Sequence, residues 1–293
     1  MFSRRGPPPS ADAPRVDDFE RVLAYHRATK HDFNRYATGP DELDWATQPD
    51  PFRRYAGAEL VALEHPRAGD GPSYADALAG RVDARPLDRR ALSQLLYDSL
   101  ALSAWKRYGE SRWSLRVNPS SGNLHPTEGY VVSAAIDGVC EHAFVAHYAP
   151  REHALEIRAR IPDEVWSELA RGLPHGALFV GFTSIHWREA WKYGERAFRY
   201  CQHDVGHALG ALAVAAAGLG WSTRACDELG SEELGALLGV AMQRGPDAEH
   251  VDVLVAVAPR ALDVSAAPTG AALAACSSLS FVGFPNELSS SYV

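Results

Sequence analysis

A chain of 293 residues, 46% of them hydrophobic, holds enough apolar material for one large domain or two modest ones. Its formal net charge of −8 leaves no basic footprint for nucleic acid. No apolar run reaches the roughly 18 residues of a membrane span, and Cys140, Cys201, Cys226 and Cys276 form no C-x-x-C pair, so a reduced, cytoplasmic protein is expected.

Met1 to Pro14 is rich in Pro, Ala and Arg, has no apolar signal-peptide core, and reads as a disordered lead-in. Asp17 to Arg27 carries apolar residues at helical spacing behind an acidic start, predicting a first helix. Thr29 to Pro72 is irregular and dense in Pro and aromatics. Such a length without regular structure predicts an arm wrapped over another surface, a partner subunit being one candidate. Asp88 caps a helix whose face holds Leu92, Leu95, Leu96 and Leu100. Gly129–Ala135, Ala143–Tyr148 and Ala154–Ile157 read as strands, Asp163–Arg171 as a helix, and Gly176–Thr183 as a buried strand. One long helix is predicted from about Glu189 through Gly218, apolar nearly all round in its second half and therefore buried, its own copy being one cover. Ser231–Leu238 reads as a helix, Val251–Val257 as a strand, and the low-charge tail ends in an apolar patch at Phe281 to Pro285. Helices mixed with hairpin-like strands favour an α+β fold over a regular doubly wound sheet.

The fingerprints G-x-G-x-x-G, G-x-x-x-x-G-K-[ST] and G-x-S-x-G are absent. The stretch from Arg116 to Tyr130 is instead a loop of small and amide side chains, Asn118-Pro119-Ser120-Ser121-Gly122-Asn123, running into a short strand. It supplies backbone N–H groups, hydroxyls, an amide and a nearby guanidinium, which suit an anionic ligand with polar edges. Further on, Lys192, Tyr193, Glu195, Arg196, Arg199 and Tyr200 crowd into two to three helical turns. Ion pairs Lys192–Glu195 and Glu195–Arg199 explain the charges; proton transfer by Lys192 and Tyr193 is the functional alternative. His203 and His207, four apart with Asp204 between, have the spacing of two metal ligands, or are a packed and a solvated histidine with Asp204 bonding a neighbouring segment. Gly218-Leu219-Gly220 is a helix stop, or a place of close approach to a ring or phosphate.

Three segments in this order resemble the flavin-dependent nitroreductase superfamily, and more closely its SagB-type branch of azoline dehydrogenases: N-P-S-S-G-N-L-H-P-T-E-G-Y, W-K-Y-G-E-R-A-F-R-Y-C-Q-H-D-V-G-H, and the A-A-G-L-G-W turn followed by S-E-E-L-G-A-L-L-G. The resemblance implies a nitroreductase-like α+β fold, a mixed or antiparallel sheet flanked by helices, in an interlocked homodimer with FMN at the subunit interface. It divides the chain into the lead-in (1–14), an extended arm (15–80), the FMN-binding domain (81–262) and a C-terminal extension (263–293). It puts Pro119, Ser120, Ser121, Gly122 and Asn123 against the flavin, and Arg224, Ala225, Cys226 and Asp227 beside its ring. The R-R-S-x-R phosphate clamp of the family is missing, with Arg81 and Arg85 displaced from it, so Arg116 or Arg260 is expected at the phosphate. Lys192 and Tyr193 match the branch's catalytic pair. The implied activity is oxidation of thiazoline or oxazoline rings in a modified peptide, alongside a cyclodehydratase partner. NAD(P)H-dependent reduction of nitro compounds or quinones, and a flavin-free scaffold or peptide-binding subunit, are the alternatives.

Overall fold

The computed structural model describes residues 17–67, 69, 71–227, 229–259, 261–262 and 267–289; the lead-in expected at 1–14 lies outside them. Helix α1 (Asp18–Thr29) starts where the Asp17 side chain accepts the Phe19 amide. The arm then forms β1 (Tyr55–Ala56), β2 (Glu59–Ala62) and α2 (Tyr74–Leu78). The Asp88 carboxylate accepts the Ala91 N–H at 2.7 Å and opens α3 (Arg89–Tyr97), whose Leu92, Leu95 and Leu96 are fully buried.

Next come the hairpin β3 (Leu102–Tyr108) and β4 (Ser111–Arg116), then β5 (Thr127–Ser133), β6 (Ala143–Ala149), β7 (Ala154–Ile161), α4 (Asp163–Leu169) and β8 (Leu178–Ser184). The remainder is α5 (His186–Tyr193), α6 (Ala197–Gly218), β9 (Ser222–Cys226), α7 (Ser231–Leu238), β10 (His250–Ala258), α8 (Gly270–Ala275) and β11 (Phe284–Pro285). The long helix expected from Glu189 to Gly218 is two helices. Gly194, at φ +53°, breaks it, because that left-handed geometry cannot continue an α-helix and suits a residue without Cβ.

Seven strands pair antiparallel in the order β2-β7-β6-β5-β8-β10-β9. Alternate side chains serve two cores. Val131, Phe144, Val180 and Val255 face α3 and α6; Val132, Val145, Phe179 and Leu254 face α7 and α8. A sheet covered on both faces reads as nearly continuous apolar runs, which is what β5, β6 and β8 show. Among the described residues no helix is long and apolar enough to cross a membrane.

The arm is bound into its own chain. Strand β2 forms the sheet edge on β7, and β1 pairs with β11. Beneath them runs a chain of buried charge: Arg188 Nη1 donates to Glu128, whose other oxygen meets His147 Nε2 at 3.0 Å. His147 Nδ1 meets Glu156 at 2.9 Å, and Glu156 accepts Arg54 Nε at 2.7 Å. A second cluster centres on Glu249, which accepts the hydroxyls of Tyr55 (2.6 Å), Tyr130 (2.7 Å) and Thr183 (2.7 Å) and lies 3.3 Å from Arg53 Nε.

Burial opposes the charged form of Glu128, but Arg188 and the His147 hydrogen bond outweigh it and hold the carboxyl well below the usual range. Glu156 is likewise held low, against its burial, by its bond to His147. Removing one partner of such a pair strands the other charge. Arg188→Ala is therefore expected to cost about 3–5 kcal/mol in urea unfolding. The stability given by lowered carboxyls is full above their unfolded values, about 4.3 for Glu, and is lost as pH falls through the lower folded values. Thermal melts should show this acid-side loss, with a shallower slope in Glu156→Gln.

Candidate functional site

The loop of small residues and the end of α5 meet. Gly122 lies in a single helical turn, Ser121–Asn123, at φ +63°; a Cβ added there would come 2.7 Å from Tyr193 Oη and 3.0 Å from Lys192 Nζ. Local bonds fix the loop. The Ser121 amide donates to Asp204 Oδ1 on α6 at 3.1 Å, Ser120 Oγ accepts the His125 amide at 2.8 Å, and Asn123 Nδ2 donates to Ser114 O at 2.9 Å. Pro119 and Gly122 remain exposed, and Lys192 and Tyr193 are half-buried. The break at Gly194 is what leaves Lys192 and Tyr193 on the last turn of α5 instead of in the middle of a longer helix.

The aromatic surroundings of the pair are compact. The Tyr193 ring lies 4.3 Å from that of Tyr200, and the Arg196 guanidinium stands 5.4 Å from the Tyr193 ring. Burial, then the charge of Glu189, pushes the Tyr193 phenol up to about 12, so it is a neutral hydrogen-bond donor at neutral pH. The ion pairs Lys192–Glu195 and Glu195–Arg199 do not form among the described residues. Arg199 instead reaches α1, donating to Thr29 Oγ1 at 3.0 Å and to His26 O at 3.0 Å.

Three expected ligand contacts fall differently. Arg116, expected at a phosphate, is turned inward: it donates to Thr127 O at 3.2 Å and to Pro51 O, and burial pulls it down to about 10. The reason is strand alternation, since Ser114 and Arg116 share the buried face of β4. The Asn123 amide is spent on the loop itself, bonding Ser114 O and, at 3.0 Å, His125 Nε2. At Gly220 an added Cβ would fall 2.6 Å from the Asp83 backbone, so the close approach there is to the chain's own main chain.

Arg224, Ala225 and Cys226 lie on β9, the outer strand of the sheet, with Asp227 just beyond it. Cys226 points into a core and Ala225 outward. Arg81 is paired with Asp76 at 2.8 Å, and Arg260 lies outside the described residues. No group of three or more metal-ligating side chains occurs among the described residues, so the metal reading of His203 and His207 gains nothing, while Asp204 does bond a neighbouring segment.

One residue was passed over in the sequence. Glu189 is fully buried on α5, and neither carboxyl oxygen has a hydrogen-bond partner. The signal was available: Glu189, Lys192 and Tyr193 are spaced i, i+3, i+4 and share a helix face. A cavity of about 860 Å³ elsewhere, lined by Glu64, His65, Arg67, Arg85 and Arg90 among others, includes neither Lys192 nor Tyr193.

Because Gly122 combines positive φ with close approach of the Lys192 and Tyr193 side chains, Gly122→Ala is expected to lose about 1–2 kcal/mol from backbone geometry alone. Thermal unfolding measures that loss. The same variant should displace Tyr193, read as a changed tyrosine environment in near-ultraviolet circular dichroism.

The nitroreductase family model matches residues 79–270. A Methanocaldococcus jannaschii protein assigned as a nitroreductase is 28% identical over 145 residues, covering 47% of this chain and 67% of that protein. A solved structure from Anabaena variabilis, also assigned as a nitroreductase, aligns with a TM-score of 0.60 and 26% identity over 80% of this chain. This chain spans only 45% of that protein's length. A Ralstonia eutropha structure with the same assignment shares the fold, with a TM-score of 0.50 and 17% identity over 77% of this chain and 99% of its own. With the family model spanning well over half of its residues, this chain belongs to the nitroreductase family.

Proposed function

We propose that this chain is an FMN-dependent oxidoreductase that oxidises azoline rings of a modified peptide, with Lys192 and Tyr193 as its proton-handling groups. The observation that carries the reading is the meeting of Gly122 with Lys192 Nζ and Tyr193 Oη. A glycine backbone, an amine and a phenol that meet at one corner are groups that suit the edge of a flat ring with a substrate beside it.

The residues fit such a cofactor at its ring end. Pro119 and Gly122 are exposed beside the pair, and β9, the outer strand of the sheet, is where main-chain groups would meet the polar rim of a flavin. At the phosphate end Arg81 is engaged by Asp76 and Arg116 by carbonyls, so the ring contacts would carry more of the binding. The exposed stripe of α6 holding Gly206, Gly210, Ala213 and Val214 is a close-packing face that suits a second copy of the chain, in keeping with a homodimer.

FMN, when bound, supplies the two-electron acceptor. The protein's own part is to remove a ring proton with the Lys192 amine, and to hold the ring heteroatom with the neutral Tyr193 hydroxyl. Both groups sit on the last turn of one short helix and so keep a fixed relation to each other and to Gly122. A peptide substrate and a cyclodehydratase partner complete the reading.

Purified protein should be yellow and release FMN on denaturation. Lys192→Ala and Tyr193→Phe should each lower turnover of an azoline peptide by roughly 10²-fold or more while flavin content is retained. Full activity in both variants would sink the assigned roles. Rapid bleaching of the flavin by NADPH alone would point to a nitro or quinone reductase, and a colourless protein that takes up no FMN to a scaffold.

A further inference from the structure

The β3–β4 hairpin stands apart from the seven-stranded sheet. No other strand pairs with either of its members among the described residues, and its side chains are exposed over most of its length. A two-stranded hairpin alone is marginal in water, and its open edges are templates for a further strand. Residues directly opposite in the register share a face, so Trp105, Arg107 and Arg112 lie on one side and Lys106, Tyr108 and Trp113 on the other. Three aromatic rings are thereby offered to solvent: Tyr108 is 82% exposed, Trp105 45% and Trp113 37%.

The charge on this hairpin is one-sided. From 103 to 113 it carries Lys106, Arg107 and Arg112 against Glu110 alone, in a chain whose formal net charge is −8. Arg107 and Arg112 are direct cross-strand partners, a position in which like charges oppose pairing. Little in the chain relieves them. Glu110 reaches Arg107 at 3.7 Å in an exposed pair, and the Arg112 guanidinium lies 4.3 Å over the Trp105 ring. Lys106 and Arg112 enter no ion pair among the described residues. An anionic side chain between the two guanidiniums supplies what is missing, while Tyr108 and Trp113 on the other face suit an apolar one. An extended segment points successive side chains to opposite faces, so alternating acidic and apolar residues match both sides of the hairpin at once.

We propose that the β3 edge takes up an acidic, extended segment of the peptide substrate as a third strand, an inference that rests on the peptide-oxidising reading above. The edge is β3 because Ser114 O on β4 is already held by Asn123 Nδ2 at 2.9 Å. The seven residues of β3 extend roughly 24 Å. The same Asn123 contact ties the hairpin to the loop whose Gly122 is approached by Lys192 and Tyr193. At the inner end Leu102 pairs with Arg116, and the Val117 amide donates to Ala101 O at 2.9 Å, where that loop begins. A segment docked along β3 therefore ends at the loop, and the ring to be oxidised lies beyond the docked strand. Main-chain bonds to the edge supply affinity for many sequences, and the acidic–apolar alternation supplies the selection.

Binding can be tested on the full chain without turnover. By fluorescence anisotropy at low salt, a labelled peptide of alternating Glu and Val should bind roughly tenfold more tightly than its Lys–Val counterpart. It should also slow hydrogen exchange across Leu102–Tyr108. Arg107→Glu/Arg112→Glu should reverse the preference between the two peptides, and Trp113→Ala should weaken the acidic one about fivefold. These side chains are exposed, so both variants should keep the circular dichroism of the unaltered chain. With an azoline peptide bearing a Glu–Val flank, charge reversal should raise KM roughly tenfold at unchanged kcat, and a Lys–Val flank should restore KM. Equal affinity of the unaltered chain for the two peptides, unchanged exchange across Leu102–Tyr108, or a preference that survives charge reversal overturns the docking edge. So does a dimer that charge reversal turns into monomers, since the hairpin is then an interface between copies. Docking as expected, with no azoline peptide oxidised, instead overturns the reading on which the inference rests.

Discussion

The buried bond between Arg188 and Glu128 is the constraint around which this chain is arranged. An ion removed from water costs several kcal/mol, which is recovered only when its partner and its remaining hydrogen-bonding positions are all supplied. Here most are supplied, from five places in the sequence, Arg188 Nη2 alone of the guanidinium nitrogens having no partner among the described residues. Arg188 donates to Glu128 on β5, to His125 O at 2.7 Å in the functional loop and to Asp50 O at 3.1 Å in the arm. Glu128 passes the constraint to His147 on β6, to Glu156 on β7 and back to Arg54 in the arm. One guanidinium thereby fixes the start of α5, the loop beside it and the arm that covers both.

This explains how part of the arm is held on its own chain, beside any part it has in wrapping a neighbour. Its length and irregularity invite that expectation, because a segment dense in proline and aromatics offers no periodic face of its own. What organises it is a set of charges, Arg53 and Arg54, whose acceptors Asn286, Asp247, Glu156 and Glu249 lie a hundred residues or more away. Long-range pairing of that kind leaves no trace in local spacing. The C-terminal segment is drawn in by the same logic, since the Asp50 amide donates to Leu288 O and the Asn286 amide to Arg54 O.

What was legible in the sequence follows from the same distinction between local and distant causes. Asp88 and the Leu92–Leu95–Leu96 stripe announce α3 because cap and period are local, and the apolar runs announce β5, β6, β8 and β10 because the sheet is covered on both faces. The β3–β4 hairpin was hidden. Its residues are exposed on both faces over most of its length, so no apolar alternation marks it. The helix break at Gly194 was hidden for the opposite reason: a single glycine inside a periodic run is usually absorbed, and its positive φ is decided by where the two helices must go. Within the site, the motif residues Gly122, Lys192 and Tyr193 were identified and are brought together. Arg116 is turned inward, which the sequence hides, because a guanidinium beside a polar loop does not reveal which face of its strand it occupies.

The same geometry sets the division of labour within the site. Side chains of the loop are largely consumed in holding its shape: Ser120 bonds the His125 amide, and Asn123 bonds Ser114 O and His125. A loop fixed in that way can keep Gly122 at positive φ without collapsing onto the ring of Tyr193, and it offers a ligand mainly main chain. On the proposed reading, reactive groups then come from the α5–α6 corner. Lys192 and Tyr193 face the loop from the last turn of α5, while Asp204, one helix later, holds the Ser121 amide. Burial, and next the charge of the acid that anchors the loop, raises Glu189 on the facing helix. Asp204 thereby joins the loop to the α5–α6 corner, so a change in charge at that residue acts first on the Ser121 amide it holds.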